Sequence, residues 1–390
     1  MSWTDDFSFY LEPIPSHFAP HGDSEHSEQI SESIDAHLAG HWPDLEQAEA
    51  VILGLGTIGS DSDRSMLPAD AVREKFYKLF RHQSSPRLAD IGNLLSGQSP
   101  EDTFTAIKRV VGALALRKIL LILIGGSHEL TYANYAAYEA LESPINLCVI
   151  DSKIDMGEYR EELSEQNFLS KIIVHKPSYL FNMSLLGFQS YYNASDTVAL
   201  LDKMYFDALR LGRLREDVRC AEPVLRQADI VSIDMACVRS GDAPGHGQPN
   251  GLSGDEICRI TRYAGFSDTC SSLGIYNYLP EKDREGQTAL LIAQMMWYAL
   301  EGRSARVKEY PLMNKPGFYE YKVQLAQGSD QIIFYKSKTT EKWWMNVPYI
   351  VGENPDVIRP HLIPCNYSDY EIAASGEVPD LWWKTYRKLS

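Results

Sequence analysis

The chain has 390 residues, 44% of them hydrophobic and 23% charged, with a formal net charge of −16 and a pI near 5.1. That length gives one large α/β domain, or two small ones, an ample core; the acidic balance argues against nucleic acid or an anionic membrane as the main partner. No apolar run approaches the roughly 20 residues that span a bilayer, and Met1–Tyr10 lacks the basic start and apolar core of a secretory leader.

Residues 1–47 are rich in Ser, His and Glu and read as an N-terminal extension in which only Ser27 to Leu38 looks helical. From 48 to 302 short apolar strands alternate with amphipathic helices. The predicted strands cover 50–56, 88–92, 120–125, 146–151, 181–188, 229–235 and 273–278. The predicted helices cover 68–79, 100–116, 130–141, 222–227, 254–265 and 287–300. Near-continuous apolar strands separated by helices indicate a parallel sheet covered on both faces. Residues 303–390 differ in kind. They predict antiparallel strands over 319–324, 331–336 and 342–347, with a turn at 327–330, then the aromatic-rich Leu381-Trp382-Trp383-Lys384-Thr385-Tyr386. This region is expected to be a small β-rich appendage, packed on the core or on a protein partner. The six cysteines lack CxxC spacing and read as reduced thiols of a cytoplasmic protein.

In an open α/β sheet, ligands bind beyond the carboxyl ends of the strands. Three such ends carry chemistry. The first is followed by Gly125-Gly126-Ser127-His128, the second by Asp151, Lys153 and Asp155, and the third by Asp234-Met235-Ala236. One imidazole and three carboxylates suit a borderline divalent ion such as manganese or zinc. Each aspartate taken singly also reads as a cap or turn residue. His246, in the glycine-rich loop that follows, is a candidate acid, base or extra ligand, or a plain surface histidine. Arg239 is a candidate holder of a substrate carboxylate.

Gly125-Gly126-Ser127-His128, Asp151-x-x-x-Asp155 and Ser232-Ile233-Asp234 resemble the three metal motifs of the ureohydrolases, the family of arginases, agmatinases and formimidoylglutamases. Order and spacing fit over roughly residues 49–302. Ala243-Pro244-Gly245 with Pro249-Asn250-Gly251-Leu252 resembles the loop form seen in formimidoylglutamases. The resemblance implies a three-layer α/β/α arginase-like fold with a mostly parallel sheet. It also implies two manganese ions sharing a hydroxide, and hydrolysis of a C–N bond, not a peptide bond, in small linear amidines. Such proteins are commonly trimers or hexamers; a homo-oligomer is one expectation, and a C-terminal segment that blocks or replaces that assembly is the other.

Carried over residue by residue, the resemblance gives the first metal to His128, Asp151, Asp155 and Asp234. The second metal would need a histidine at Lys153 and an aspartate at Ala236. An ammonium has no lone pair and a methyl cannot ligate. One divalent ion at most is expected, manganese foremost, with no ion at all left open. The family's glutamate that contacts the amidine falls at Asn277, whose amide cannot pair with a cation. Its proton-relaying histidine falls near Leu169, beside Asn167, which becomes a candidate substrate-binding residue. Ser127 stands where the family has aspartate and is expected to orient His128. For Lys153 two readings stay open. In the preferred one its ammonium fills the vacated second-metal position and neutralises Asp151 and Asp234; in the other it points to solvent. The expected function is a weak or non-catalytic scaffold, with residues 303–390 offered to a protein partner. The alternative is a formimidoylglutamase-like hydrolase working with one ion, in which Lys153, His246 and Asn277 carry the remaining chemistry.

Overall fold

The computed structural model describes residues 3–18, 27–56, 67–95, 97, 99–325, 331–350 and 358–390. The turn expected at 327–330 lies outside them. Strands β1 (Leu11–Glu12), β2 (Asp35–Ala36), β3 (Ala50–Leu55), β4 (Leu88–Leu94) and β5 (Leu120–Gly125) form one half of a ten-stranded sheet. The other half is β6 (Ile145–Ile150), β7 (Leu180–Phe188), β8 (Asp207–Arg210), β9 (Ile230–Asp234) and β10 (Ser272–Tyr276). The order is β1-β4-β3-β5-β10-β9-β6-β7-β8, with β2 also on β4. Only β1 runs antiparallel to its neighbour.

Alternation along the central strands explains the layers. Val51, Leu53 and Leu55 of β3 enter one hydrophobic cluster, together with Leu121 and Leu123 of β5. Ala50 and Ile52 enter another, together with Leu120, Ile122 and Ile124. A strand that must be apolar on both faces needs helices on both. They are supplied by α1 (Pro68–Phe76), α2 (Pro100–Ala115), α3 (Leu130–Ala136), α4 (Phe168–Val174), α5 (Ser195–Lys203) and α6 (Leu211–Glu216), then α7 (Glu222–Arg226), α8 (Gly254–Phe266) and α9 (Gln287–Ser304). Capping boxes start α2 at Ser99/Asp102 and α8 at Ser253/Glu256, each satisfying two otherwise orphaned backbone donors. The three-layer α/β/α arrangement is therefore present. Among the described residues no helix is long and apolar enough to cross a membrane, and all six cysteines are unpaired.

Two expectations need correction. Residues 27–38 are not a helix: Ile30–Glu32 make a single 3-10 turn, and Asp35–Ala36 add a strand to the sheet. Ile30 and Ser31 donate their backbone N–H groups to Leu79 and Tyr77 carbonyls, so tertiary bonds replace the helical ladder. The C-terminal region is also more helical than its sequence indicates. Strands β11 (Phe318–Gln324), β12 (Gln331–Ser337), β13 (Trp343–Ile350) and β14 (Ile358–Cys365) form an antiparallel sheet in that order. Helices α10 (Tyr367–Ala374) and α11 (Asp380–Leu389) follow it. Pro360 and Pro364 hid β14, because proline demotes a strand; at the edge of a sheet it costs no ladder bond.

The region packs on the core. Arg226 Nη2 donates to the Trp343 carbonyl at 2.9 Å. From α11, Lys388 reaches Asn182 Oδ1 and Arg387 Nε donates to Tyr205 Oη at 3.2 Å. Trp382 Nε1 donates to the Asn346 carbonyl, so that part of the tail's aromatic run fastens α11 to its own sheet.

Candidate metal centre

Strands β5, β10, β9 and β6 are neighbours, and their carboxyl ends bring the candidate residues together. At the end of β5, Gly125 and Gly126 have φ of +92° and +71°. A Cβ on Gly125 would lie 2.6 Å from the Leu55 carbonyl oxygen, so only glycine fits this turn. The turn delivers His128, fully buried, just ahead of α3. Register does the rest, since Tyr276 faces Asp234 across β10–β9 and Ile150 faces Ile233 across β6–β9.

His128 Nε2 lies 2.9 Å from Ser232 Oγ, which is 2.6 Å from Thr131 Oγ1. With Nε2–H donating to Ser232, Nδ1 is the ring nitrogen that faces inward, a division of labour usual for metal-binding histidines. Nδ1 is buried and has no hydrogen-bond partner. It stands 3.2 Å from Asp151 Oδ2, 3.6 Å from Asp234 Oδ2 and 3.9 Å from Asp155 Oδ2. Ligand atoms held at ~2.1 Å from one ion lie roughly 3 to 3.5 Å apart. His128, Asp151 and Asp234 offer atoms that all fall within 4.8 Å of one another, so the residues fit a divalent cation.

Backbone and amide donors hold the Asp151 and Asp234 carboxylates in place. Asp151 Oδ1 accepts from the Lys153 N–H at 3.0 Å, and Asp234 Oδ1 from the Ala236 N–H at 2.7 Å. Asn277 Nδ2 donates to Asp234 Oδ2 at 3.0 Å. Among the protein's own groups the charge is balanced by proton sharing. Burial and the neighbouring Asp151 push Asp155 up to about 9, and the same causes push Asp234 up to about 6. Burial would raise Asp151 too, but the His128 ring 3.2 Å away holds it below the usual carboxylate range. Burial opposes charge on His128, yet the three carboxylates raise it to about 9.

Lys153 departs from its preferred reading. Its side chain is exposed and makes no ion pair among the described residues. The loop after β6 turns Ile154 into the core, and Asn193 Oδ1 fixes the Ile154 N–H at 2.7 Å, which leaves the intervening Lys153 side chain outward. Ser127 does not orient His128 either; its hydroxyl donates to Glu129 Oε1, and Ser232 takes the orienting role.

Asn277 sits at φ +59°, where asparagine is tolerated better than most residues. Its N–H donates to the Gly126 carbonyl, and its own carbonyl accepts from half-buried His246 Nε2 at 2.7 Å. His246 thus joins the cluster through Asn277. Two candidates lie differently from expectation. Arg239 makes a two-point contact with Asp242, with its side chain 47% exposed. Buried Asn167 donates to the Glu158 and Glu162 carbonyls and accepts from Ser164 N–H, so it organises its own loop. Leu169 is core, and its N–H donates to the Asp155 carbonyl at 3.2 Å.

Sequence reasoning missed the support of the metal-motif loop. Asn193 Nδ2 donates to the Ser152 and Gln189 carbonyls, and Gln189 Nε2 donates to the Asn250 carbonyl at 3.2 Å. These amides tie residues 151–155 to the loop around 246–251. Standing apart from any motif, they carry no signal in the sequence.

A family model described as the arginase family matches residues 52–301. The formimidoylglutamase of Macrococcus caseolyticus is 25% identical over 289 residues, covering 70% of this chain and 86% of that protein. A crystal structure of Trypanosoma cruzi formiminoglutamase with manganese aligns with a TM-score of 0.62 at 16% identity, over 72% of this chain and 99% of the other. The Bacillus subtilis formimidoylglutamase structure gives 0.61 at 17% identity, over 78% and 98%. These structural likenesses speak for the fold.

Proposed function

The chain belongs to the arginase family, and on that premise we propose that it is a formimidoylglutamase-like member binding one divalent ion, whose hydrolysis of linear amidines is weak or absent. One observation carries this reading. Where the family resemblance asks for two further ligands, Lys153 turns outward and Ala236 has only a methyl, and both contribute backbone N–H groups to Asp151 and Asp234 instead.

His128 presents Nδ1, with Ser232 holding the opposite ring nitrogen, and Asp151 and Asp234 present their Oδ2 atoms. His128, Asp151 and Asp234 would hold a divalent ion, manganese foremost, which would supply activation of a water nucleophile. His246 keeps its Nε2 proton on the Asn277 carbonyl and stands near enough to Asp234 to favour its charged form. Asn277 directs its amide at Asp234 and brings no negative charge to a cationic amidine. Loss of that orientation costs several kcal/mol of barrier lowering, out of the ~7 to 11 that positioning can supply.

A second reading, slow hydrolysis with one ion, is favoured by the outward Lys153, since no ammonium competes for the inner oxygens. In the scaffold reading, residues 303–390 serve a protein partner. Metal analysis of the full chain loaded with Mn²⁺ is expected to give one ion per chain, with scarcely any ammonia or formamide released from formiminoglutamate. Lys153→His combined with Ala236→Asp is expected to raise the count to two and to increase release. Two ions in the unaltered chain, together with rapid release, would overturn the proposal.

A further inference from the structure

We propose that the cavity between the core and the C-terminal sheet is a binding site for a free α-amino acid with an apolar side chain. The cavity measures about 430 Å³, within the ~300 to 1,000 Å³ of small-molecule sites. It is lined by Asn146 of β6 and by Gln227, just ahead of β9. Those are the amino-terminal ends of strands whose carboxyl ends carry the metal centre, so the two sites lie at opposite edges of the sheet.

Arg226 is the first reason. Its side chain is only 8% exposed, and its guanidinium stacks on Trp344 at 4.3 Å. Nη2 is used by the Trp343 carbonyl and Nε lies 3.2 Å from Glu222 Oε1, but Nη1 is buried and unpartnered. A buried N–H without an acceptor costs ~1 to 3 kcal/mol, more when charged, and the side chain that carries it is part of the cavity lining. Burial holds the Arg226 guanidinium below its ordinary value, as expected of a cation with incomplete compensation.

Asp268 is the second. It lines the same cavity at its exposed rim and has no hydrogen-bond or ion-pair partner among the described residues. It lies close enough to Arg226 to act on its charge without touching it. Glu309, by contrast, already accepts from the Ser337 and Thr340 hydroxyls. A guanidinium with an unpaired N–H and an exposed carboxylate that makes no ion pair with it match the carboxylate and ammonium on one α-carbon. The apolar wall of Phe266 and Trp344 takes the side chain. A lone anion would meet Asp268 as a like charge, and a lone amine would meet Arg226; the zwitterion meets neither. Lys342, held over Phe266 at 4.9 Å, adds a second donor for the carboxylate.

The test is calorimetric titration of the full chain with L-phenylalanine, 3-phenylpropanoate and phenethylamine, with Mn²⁺ present and again in EDTA. L-phenylalanine is expected to bind once per chain, at least tenfold more tightly than either analogue and equally well with or without metal. That indifference to metal separates this site from the proposed metal centre. Asp268 is exposed and makes no hydrogen bond or ion pair among the described residues, so the fold is expected to survive Asp268→Asn. That substitution should weaken L-phenylalanine at least tenfold while leaving 3-phenylpropanoate no weaker. Arg226→Gln should abolish binding of both; if that variant does not fold, Asp268→Asn alone decides. No binding of L-phenylalanine at millimolar concentration, binding of 3-phenylpropanoate just as tight, or an unchanged Asp268→Asn would overturn the proposal.

Discussion

Arg73→Leu is expected to cost about 3 to 5 kcal/mol of folding stability, the usual effect of breaking a buried ion pair from one side. Arg73 and Asp90 are both fully buried. The guanidinium contacts Asp90 through Nε at 2.8 Å and Nη2 at 2.9 Å, and Nη1 reaches Asp70 and Asn93. Asp90 also accepts from Tyr77 Oη and the Gly92 N–H. Removing the arginine strands a carboxylate between α1 and β4 with only neutral donors. Lysine is expected to rescue poorly, because one ammonium cannot reproduce the two-point fork. Arg73→Met with Asp90→Leu, which removes both charges, is expected to recover much of the loss. Denaturant midpoints at constant slope provide the measurement. A single variant as stable as the parent would show that the pair does not clamp α1 to the sheet.

The largest effect on ligand binding is expected at His128. His128→Ala should weaken Mn²⁺ binding by more than the ~10- to 100-fold that removing a supporting hydrogen bond costs, because it deletes the one nitrogen ligand. Ser232→Ala should stay within that range, since it only frees the ring. Titration calorimetry, with circular dichroism to establish that both variants remain folded, separates the two. Equal affinities for the parent and His128→Ala would remove His128 from the site and, with it, the single-ion reading.

Much of the fold was legible because the central strands are apolar along their whole length, a pattern that only a doubly covered sheet satisfies. The site was legible for the same reason, since strand-end chemistry clusters wherever parallel strands finish together. What escaped were elements whose conformation is decided by distant partners. Residues 27–38 carry a helix-like spacing, but their N–H groups are claimed by the carbonyls of residues 77 and 79. β8 is a half-exposed edge strand, and β14 carries two prolines that only an edge position tolerates.

By itself the sequence determined the layered α/β architecture, the order of the three motifs, and which residues at the ligand positions can donate a lone pair. Those properties follow from local periodicity and from the chemistry of single side chains. Only the tertiary structure decided where each side chain points. Ile154 enters the core, so Lys153 must leave the cluster; Ser232, on a neighbouring strand, turns His128 Nδ1 inward where adjacent Ser127 does not. Arg226 and Asp268 meet at one cavity only because the C-terminal sheet closes over them. Direction and proximity across the fold depend on packing between segments far apart in the chain, and no local pattern encodes them.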